Sequence, residues 1–467
     1  MGKILSHYIM PHPPIAVAEV GKGEEKRIQK TIDACIEISK DIAEKKPETI
    51  IIITPHGPLF RDAVAIMSSE SIEGDFRNFN APNVSFQVNI DREISSNLLK
   101  NLAHEDIMAV GIDETNSSLY DIELELDHGV MVPLYFINKN YKNYKLVHIT
   151  YGLLSSEELY KVGKVIKSTV ESSSIDAVLI ASGDLSHKLS EESPYGYAKE
   201  GPEFDNKITT LLESGDVKEI FNLNSNMCEV AGECGLKSFY ILLGTLHDKK
   251  IQGKLLSYEG PFGIGYGVME METVGNEERD ILKELETKKE EKLKKIRDGE
   301  SEYVKLARKS IEGYIRNKKY IEIPEDLPGE MLKEKRGVFV SLKKNGDLRG
   351  CIGTTAPTTN NVAEEIIKNA VEAAVGDPRF GPVQEKELDE IIYSVDVLMP
   401  AEDTKREDLD PKKYGVIVNS GYKGALLLPD LEGIDTVEEQ LDVVLRKAGI
   451  NSGEQYSLQR FEVLRYR

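Results

Sequence analysis

The chain has 467 residues, 40% of them apolar, and a formal net charge of −21, which predicts about two to four domains with sizeable cores. With 34 basic against 50 acidic residues in 1–300 and 25 against 30 in 301–467, neither half has the basic balance of a nucleic-acid binder, so a polynucleotide partner is expected only through a local basic patch. No window approaches the roughly 18 uninterrupted apolar residues of a membrane span.

Met1-Gly2-Lys3 runs straight into a strand with no separate signal-peptide pattern, and Cys35, Cys228, Cys234 and Cys351 contain no Cys-x-x-Cys pair. The chain is therefore expected to be cytoplasmic with reduced thiols. The apolar run Ile4 to Met10 predicts a β-strand, and Pro11-His12-Pro13-Pro14 pins a histidine between prolines at its end. Residues 24–46 carry Ile28, Ile32, Cys35, Ile36, Ile38 and Ile42 at helical spacing. Thr49 to Ile53 then forms a second strand before Thr54-Pro55-His56-Gly57-Pro58. In such a βαβ unit the strands are parallel, so His12 and His56 share one sheet edge.

Residues 76–90, with Asn78, Asn80, Pro82 and Asn83, read as a loop and a peripheral strand of the kind that covers a site. A helix is expected over 91–104, and Asp127-His128-Gly129 precedes the apolar run Val130 to Ile137, which predicts a strand. Leu146 to Thr150, a helix from Glu157 to Val170, and the strand Ala177 to Ile180 before Ser182-Gly183-Asp184-Leu185-Ser186-His187 continue the alternation. The pattern predicts an α/β sheet covered by helices. A helix follows from Pro202 to Glu219, and Gly232-Glu233-Cys234-Gly235 opens another. Gly263 to Met271 is the last strand, whose Gly263, Gly265 and Gly267 predict close backbone packing and no phosphate loop.

Glu and Lys dominate residues 272–300, which predicts a solvated helical linker between a domain at 1–271 and a second at 301–467. The second domain reads as α+β: a helix from Glu302 to Arg316, then strands at Val338 to Leu342, Ile352 to Thr354, Ile391 to Leu398 and Gly415 to Leu428.

His12, His56 and His187 all follow strand carboxyl ends, which line the ligand crevice of an open α/β sheet. Two neutral imidazoles and a carboxylate on one face of a divalent ion leave positions open for substrate, as at non-haem Fe(II). His12 and His56 suit that role by placement, with Glu233 as third ligand at a glycine-flanked helix start and Cys234 as the competing soft ligand. The set accommodates Fe(II), zinc or copper. His128 and His187 form a second tier suited to proton transfer near neutrality, and Asp184 stands where it can orient an imidazole or approach the metal. His7, His104, His148 and His247 lack such contexts and read as structural or surface residues.

Pro11-His12-Pro13-Pro14, Pro55-His56-Gly57, Leu126-Asp127-His128-Gly129 with Val132-Pro133-Leu134, and Gly183-Asp184-Leu185-Ser186-His187 together resemble the class III extradiol dioxygenase superfamily with the LigB-type fold. The resemblance spans most of residues 1–270. It implies His12 and His56 as Fe(II) ligands beside a glutamate, His187 as acid/base, His128 as a substrate or oxygen contact, and a small, catecholic substrate. Gly232-Glu233-Cys234-Gly235 also resembles the Memo branch, in which a cysteine lies near the metal position; that reading implies a metal or redox site of His12, His56, Asp184, His187 and Cys234.

In the second half, Leu348-Arg349-Gly350-Cys351-Ile352-Gly353-Thr354, Gly376-Asp377-Pro378-Arg379-Phe380 and Leu427-Leu428-Pro429-Asp430 with Asp435 to Gln440 resemble the AMMECR family. The fusion is similar to the A proteins of AmmeMemoRadiSam systems, which implies a radical-SAM partner, since this chain has no Cys-x-x-x-Cys-x-x-Cys motif. Cys351 reads first as a small residue in a tight strand, and Asp377 with Arg379 as a structural ion pair. Two functions follow as expectations: a metal-dependent oxidoreductase of extradiol type whose AMMECR domain recognises substrate or partner, or a Memo-like adaptor for a radical-SAM protein, with nucleobase modification as one setting. A homo-oligomer is compatible with either.

Overall fold

Uninterrupted apolar strands fit the centre of a sheet covered on both faces, and Thr49–Thr54, reading TIIIIT, is buried along its whole length. In the computed structural model, which describes residues 1–277, 280–431, 433–451 and 453–467, this strand lies inside an eight-stranded mixed sheet. The strands of the first unit are β1 (Ile4–Met10), β2 (Thr49–Thr54), β3 (Val64–Met67), β4 (Ser71–Phe76), β5 (Ala81–Asn89), β6 (Ala109–Ile112), β7 (Lys145–Thr150), β8 (Ala177–Ser182), β9 (Lys249–Glu259) and β10 (Tyr266–Asn276). Its helices are α1 (Ala18–Gly21), α2 (Gln29–Lys45), α3 (Arg92–His104), α4 (His128–Ile137), α5 (Ser156–Glu171), α6 (Glu200–Ser214), α7 (Val217–Phe221), α8 (Ser225–Ala231) and α9 (Leu236–Thr245).

The sheet order is β6-β3-β7-β2-β8-β1-β10-β9. The centre, β7-β2-β8-β1, is parallel, and β10 returns antiparallel along β1. β8 therefore stands between the two strands that end near His12 and His56. Side chains alternate across the sheet. Ile9, Ile51 and Ile53 join one core with residues of α3, α5 and α9, while Tyr8, Met10, Ile50 and Ile52 join a second core with residues of α2 and α4.

The structure corrects several expectations. Val130 to Ile137, expected as a strand, belongs to helix α4; it is buried nearly all round, so its sequence has no polar face to reveal a helical period. The helix expected over 202–219 is divided at Gly215, whose φ of +70° ends α6. β9, eleven residues long, had no counterpart in the sequence reading. The glycines before and within β10 do pack closely: a Cβ at Gly265 would lie 2.0 Å from Asp205 Oδ2.

The chain divides into residues 1–287 and 288–467, a boundary within helix α10 (Ile281–Asp298) and within the stretch read as a linker, of which Glu278 and Arg279 lie outside the described residues. The second unit contains α11 (Glu302–Asn317), α12 (Gly329–Lys333), β11 (Val338–Lys344), β12 (Asp347–Gly353), α13 (Val362–Val375), β13 (Ile391–Leu398), β14 (Glu402–Asp403), β15 (Gly415–Ser420), β16 (Lys423–Leu427), α14 (Val437–Ala448), β17 (Ser457–Phe461) and β18 (Val463–Tyr466). They build two four-stranded sheets, β12-β11-β13-β18 and β14-β17-β15-β16. Gly415 to Leu428, expected as one strand, is a hairpin that turns at Gly421, where φ is +61°. Among the described residues no helix is long and apolar enough to cross a membrane.

Candidate metal centre

His12 follows β1 and is 2% exposed. Its backbone N–H donates to Asp184 Oδ1 at 2.8 Å, tying the segment after β1 to the segment after β8. His56 follows β2, and its N–H donates to Thr54 Oγ1. His128 is the first residue of α4. The three side chains converge: the Nε2 atoms of His12 and His56 are 3.0 Å apart, the rings of His56 and His128 stack with centroids 4.1 Å apart, and one ring nitrogen from each of the three lies within 4.8 Å of the others. His56 is the exposed member, so the cluster meets solvent on its side.

The tautomer of His12 follows from a proline in α4. Pro133 has no N–H, so the carbonyl of Gly129, four residues earlier, lacks its intrahelical donor. Ser182 Oγ donates to that carbonyl at 2.5 Å and lies 2.9 Å from His12 Nδ1. A hydroxyl has one proton. With that proton on Gly129, Ser182 accepts from Nδ1–H, which leaves His12 Nε2 unprotonated and facing His56. This is the arrangement of a metal-ligating histidine, whose other nitrogen donates to a protein acceptor.

The charge state agrees. Burial holds His12 well below the usual imidazole range, reinforced by His56, His128 and His187. Burial first and His128 second bring His56 down to about 4, and burial lowers His128. Three neutral imidazoles with converging nitrogens fit a divalent cation of the Fe, Zn or Cu type.

Cys234 and Glu233, the two candidates for the remaining ligand, point to different places. Cys234 Sγ lies 3.6 Å from His12 Nε2 and accepts from the Asp184 N–H at 3.3 Å; burial raises its thiol well above the ordinary range. Glu233 Oε2 accepts the Leu236 N–H at 2.7 Å, at the start of α9, and burial pushes its carboxyl up to about 7. Two glycines allow this loop to reach the site: a Cβ on Gly183 would fall 2.1 Å from Gly235 Cα.

Asp184 holds the His12 backbone and not an imidazole, and burial lifts its carboxyl to about 7. His187 stacks on Tyr195 with centroids 5.3 Å apart. It is near enough to the cluster that His56 adds to the burial that lowers it to about 4. Three groups at the site escaped the sequence reading. Ser182 is one, and Asp127 is another: its carboxylate takes the Thr54 hydroxyl at 2.6 Å and lies 3.0 Å from Nε2 of the third, His148. Burial opposes the charge of Asp127, but His148 and Thr54 outweigh it and leave the carboxyl low. Pro133 inside an apolar run was the available signal for the freed carbonyl.

In the second unit, the Cys351 N–H donates to Asp377 Oδ2 at 2.9 Å. Arg379 binds Asp377 through two nitrogens and reaches the Cys351 carbonyl. Arg349 forms a two-pronged pair with Glu387. These charges are mutually satisfied and brace the strand that carries Cys351.

Residues 6–269 match the family described as the catalytic LigB subunit of aromatic ring-opening dioxygenase, and residues 304–467 match AMMECR1. A protein of Clostridium acetobutylicum is 50% identical over 461 residues, 98% of each chain. A Thermotoga maritima protein is 52% identical over 172 residues, 36% of this chain and 99% of its own. Among solved structures, an uncharacterized Pyrococcus horikoshii protein is 35% identical with a TM-score of 0.32, covering 35% of this chain and 88% of that one. An uncharacterized Escherichia coli K12 protein is 11% identical with a TM-score of 0.39, covering 57% and 98%. The two family matches and the full-length relative carry one conclusion: this chain belongs to the LigB family, in a form fused to an AMMECR1 domain.

Proposed function

We propose that residues 1–287 house a metal-dependent oxidoreductase of the ring-opening dioxygenase type, in which His12, His56 and His128 hold a divalent ion, Fe(II) first. The convergence of three neutral imidazole nitrogens beyond the ends of parallel strands carries this reading. Bound there, Fe(II) would supply a Lewis-acidic, redox-active centre for an aromatic diol and dioxygen. The chain's own groups supply the rest. Ser182 fixes the His12 tautomer, Asp184 fixes its backbone, and neutral His187 accepts a proton from a substrate hydroxyl. Phe79, whose ring centroid is 5.4 Å from that of His128, gives the substrate ring an apolar contact. The AMMECR1 domain recognises substrate or partner.

One observation favours a second reading. The groups nearest the cluster include the Cys234 thiol, while the Glu233 carboxylate is engaged at α9. A centre without a carboxylate suits a Memo-like metal-binding adaptor for a radical-SAM partner. Anaerobic loading with Fe(II), zinc and copper, followed by metal analysis and oxygen uptake with catechols, separates the two. The first reading expects metal binding and catechol-dependent oxygen uptake, both lost in His12→Ala/His56→Ala. Metal binding without oxygen uptake favours the adaptor. Failure to bind any of the three metals defeats the assignment of the centre.

A further inference from the structure

β4 and β5 form a hairpin outside the main sheet, and their two outer edges differ. The β4 edge is covered, because the Leu126 N–H donates to the Glu73 carbonyl at 2.9 Å and Glu73 bridges Glu125. Among the described residues β5 has no ladder partner except β4, and β7 covers the edge only just past its end, where Ile90 bridges Leu146 and the Asp91 N–H donates to the Leu146 carbonyl. Its regular pairing runs from Ser85 to Asn89 against Asp75 to Ser71, and in such an antiparallel pair alternate residues turn their N–H and C=O away from the partner strand. Natural edge strands are blunted by charge, proline or covering chain. The stretch Val84-Ser85-Phe86-Gln87-Val88-Asn89 has no charge and no proline.

A groove of about 800 Å³ runs beside this strand, lined by Asn83 to Asn89 and, opposite, by Tyr135, Lys139, Lys142 and Tyr144. Val84, Phe86 and Val88 pack toward the core, while Ser85, Gln87 and Asn89 are exposed. Lys139 Nζ sits over the rings of Tyr135 and Phe136, at 4.3 and 4.9 Å from their centroids. The groove's one acid, Glu19, accepts the Tyr135 hydroxyl at 3.1 Å. Neither lysine forms an ion pair within 4.0 Å among the described residues, although the Glu19 charge acts on Lys139, in a chain whose net charge is −21. A strand edge that shares its groove with two lysines and a single acid selects its occupant by charge.

We propose that this edge receives an extended acidic peptide segment of a partner protein, which adds to β5 as a further strand and sets its carboxylates against Lys139 and Lys142. The β5 of a second copy, having no acid, would leave both lysines unmatched. The hairpin turn also carries Phe79 to His128, so the element that takes the peptide is the one that covers the histidine cluster. The binding itself does not depend on what that cluster holds.

The test uses the full chain and a fluorescein-labelled, end-blocked octapeptide of alternating Val and Glu, followed by anisotropy. Saturable binding is expected, with slowed amide exchange confined to Asn83–Asn89 and its neighbours. The Val-Lys octapeptide should not bind, and N-methylation of alternate peptide amides should abolish binding on one of the two peptide edges. Lys139→Glu/Lys142→Glu should weaken the affinity about tenfold or more, and Lys139→Gln/Lys142→Gln, with circular dichroism to confirm folding, should weaken it by less. The proposal falls if the Val-Glu peptide shows no saturable binding, if charge reversal leaves the affinity unchanged, or if the exchange protection lies elsewhere. Concentration-dependent dimerisation that protects β5 without peptide would overturn it in favour of self-pairing.

Discussion

His12 shows how one side chain is set by three separate parts of the chain. Pro11 and Pro13 restrict its backbone, Asp184 takes its N–H, and Ser182 takes its Nδ1–H. The first of these is written beside the histidine in the sequence and was legible there; the other two lie 170 and more residues away and carry no local signal. The same limit explains the carboxylate. Glu233 and Cys234 are adjacent, and where Gly183 and Gly235 come close the thiol lies toward His12 while the carboxylate accepts the Leu236 N–H of α9. Ser182 provides the sharper test, because it is no ligand. Ser182→Ala leaves the Gly129 carbonyl without a donor and frees His12 to place its proton on Nε2. Metal affinity is expected to fall about 10- to 100-fold, as for lost partners of ligating histidines elsewhere, with an unchanged circular dichroism spectrum. Competition against a chromogenic chelator with zinc measures it, and an affinity equal to that of the unmodified protein would remove Ser182 from the site.

One-sided burial made α2 readable, and burial on nearly every side hid α4. The helix around α2 shows its period because one side meets water, whereas α4 is apolar through Val130, Met131, Val132, Pro133 and Leu134 and gives a strand-like run. Glycine positions, in turn, acquire meaning only when helices are seen to cross. Gly163 on α5 and Gly244 on α9 face each other: a Cβ on the first would fall 2.0 Å from the Ile241 carbonyl oxygen, and on the second 2.0 Å from that of Tyr160. Backbone cannot yield as a flexible side chain can, so Gly163→Ala forces the two helices apart. It is expected to destabilise the first unit by about 1–3 kcal/mol in urea unfolding, even though alanine is the better helix former. Gly329→Ala, at the start of α12 with nothing within 4 Å of the added atom, should be neutral. Equal effects of the two substitutions would show that the crossing tolerates separation.

At the level of the chain, the placement of β8 between β1 and β2 was the part that composition and pattern left open. Strand order depends on which apolar surfaces meet, and several orders bury the same isoleucines. Among the described residues the cores of the two units share no residue: Tyr8 through Leu282 supply those of the first, and Tyr303 through Phe461 those of the second. All three clustered histidines belong to residues 1–287. A ligand that binds only the folded state raises stability by an amount set by its concentration relative to Kd, about 2.7 kcal/mol at a hundredfold excess over Kd. Scanning calorimetry of the full chain should therefore resolve two transitions, and adding zinc or, anaerobically, Fe(II) should move one of them upward and leave the other in place. His12→Ala/His56→Ala should cancel the shift while preserving both transitions. Movement of both transitions together in the unmodified protein would mean that the two units unfold as one cooperative body. A shift that survives the double substitution would place the metal somewhere other than the histidine cluster.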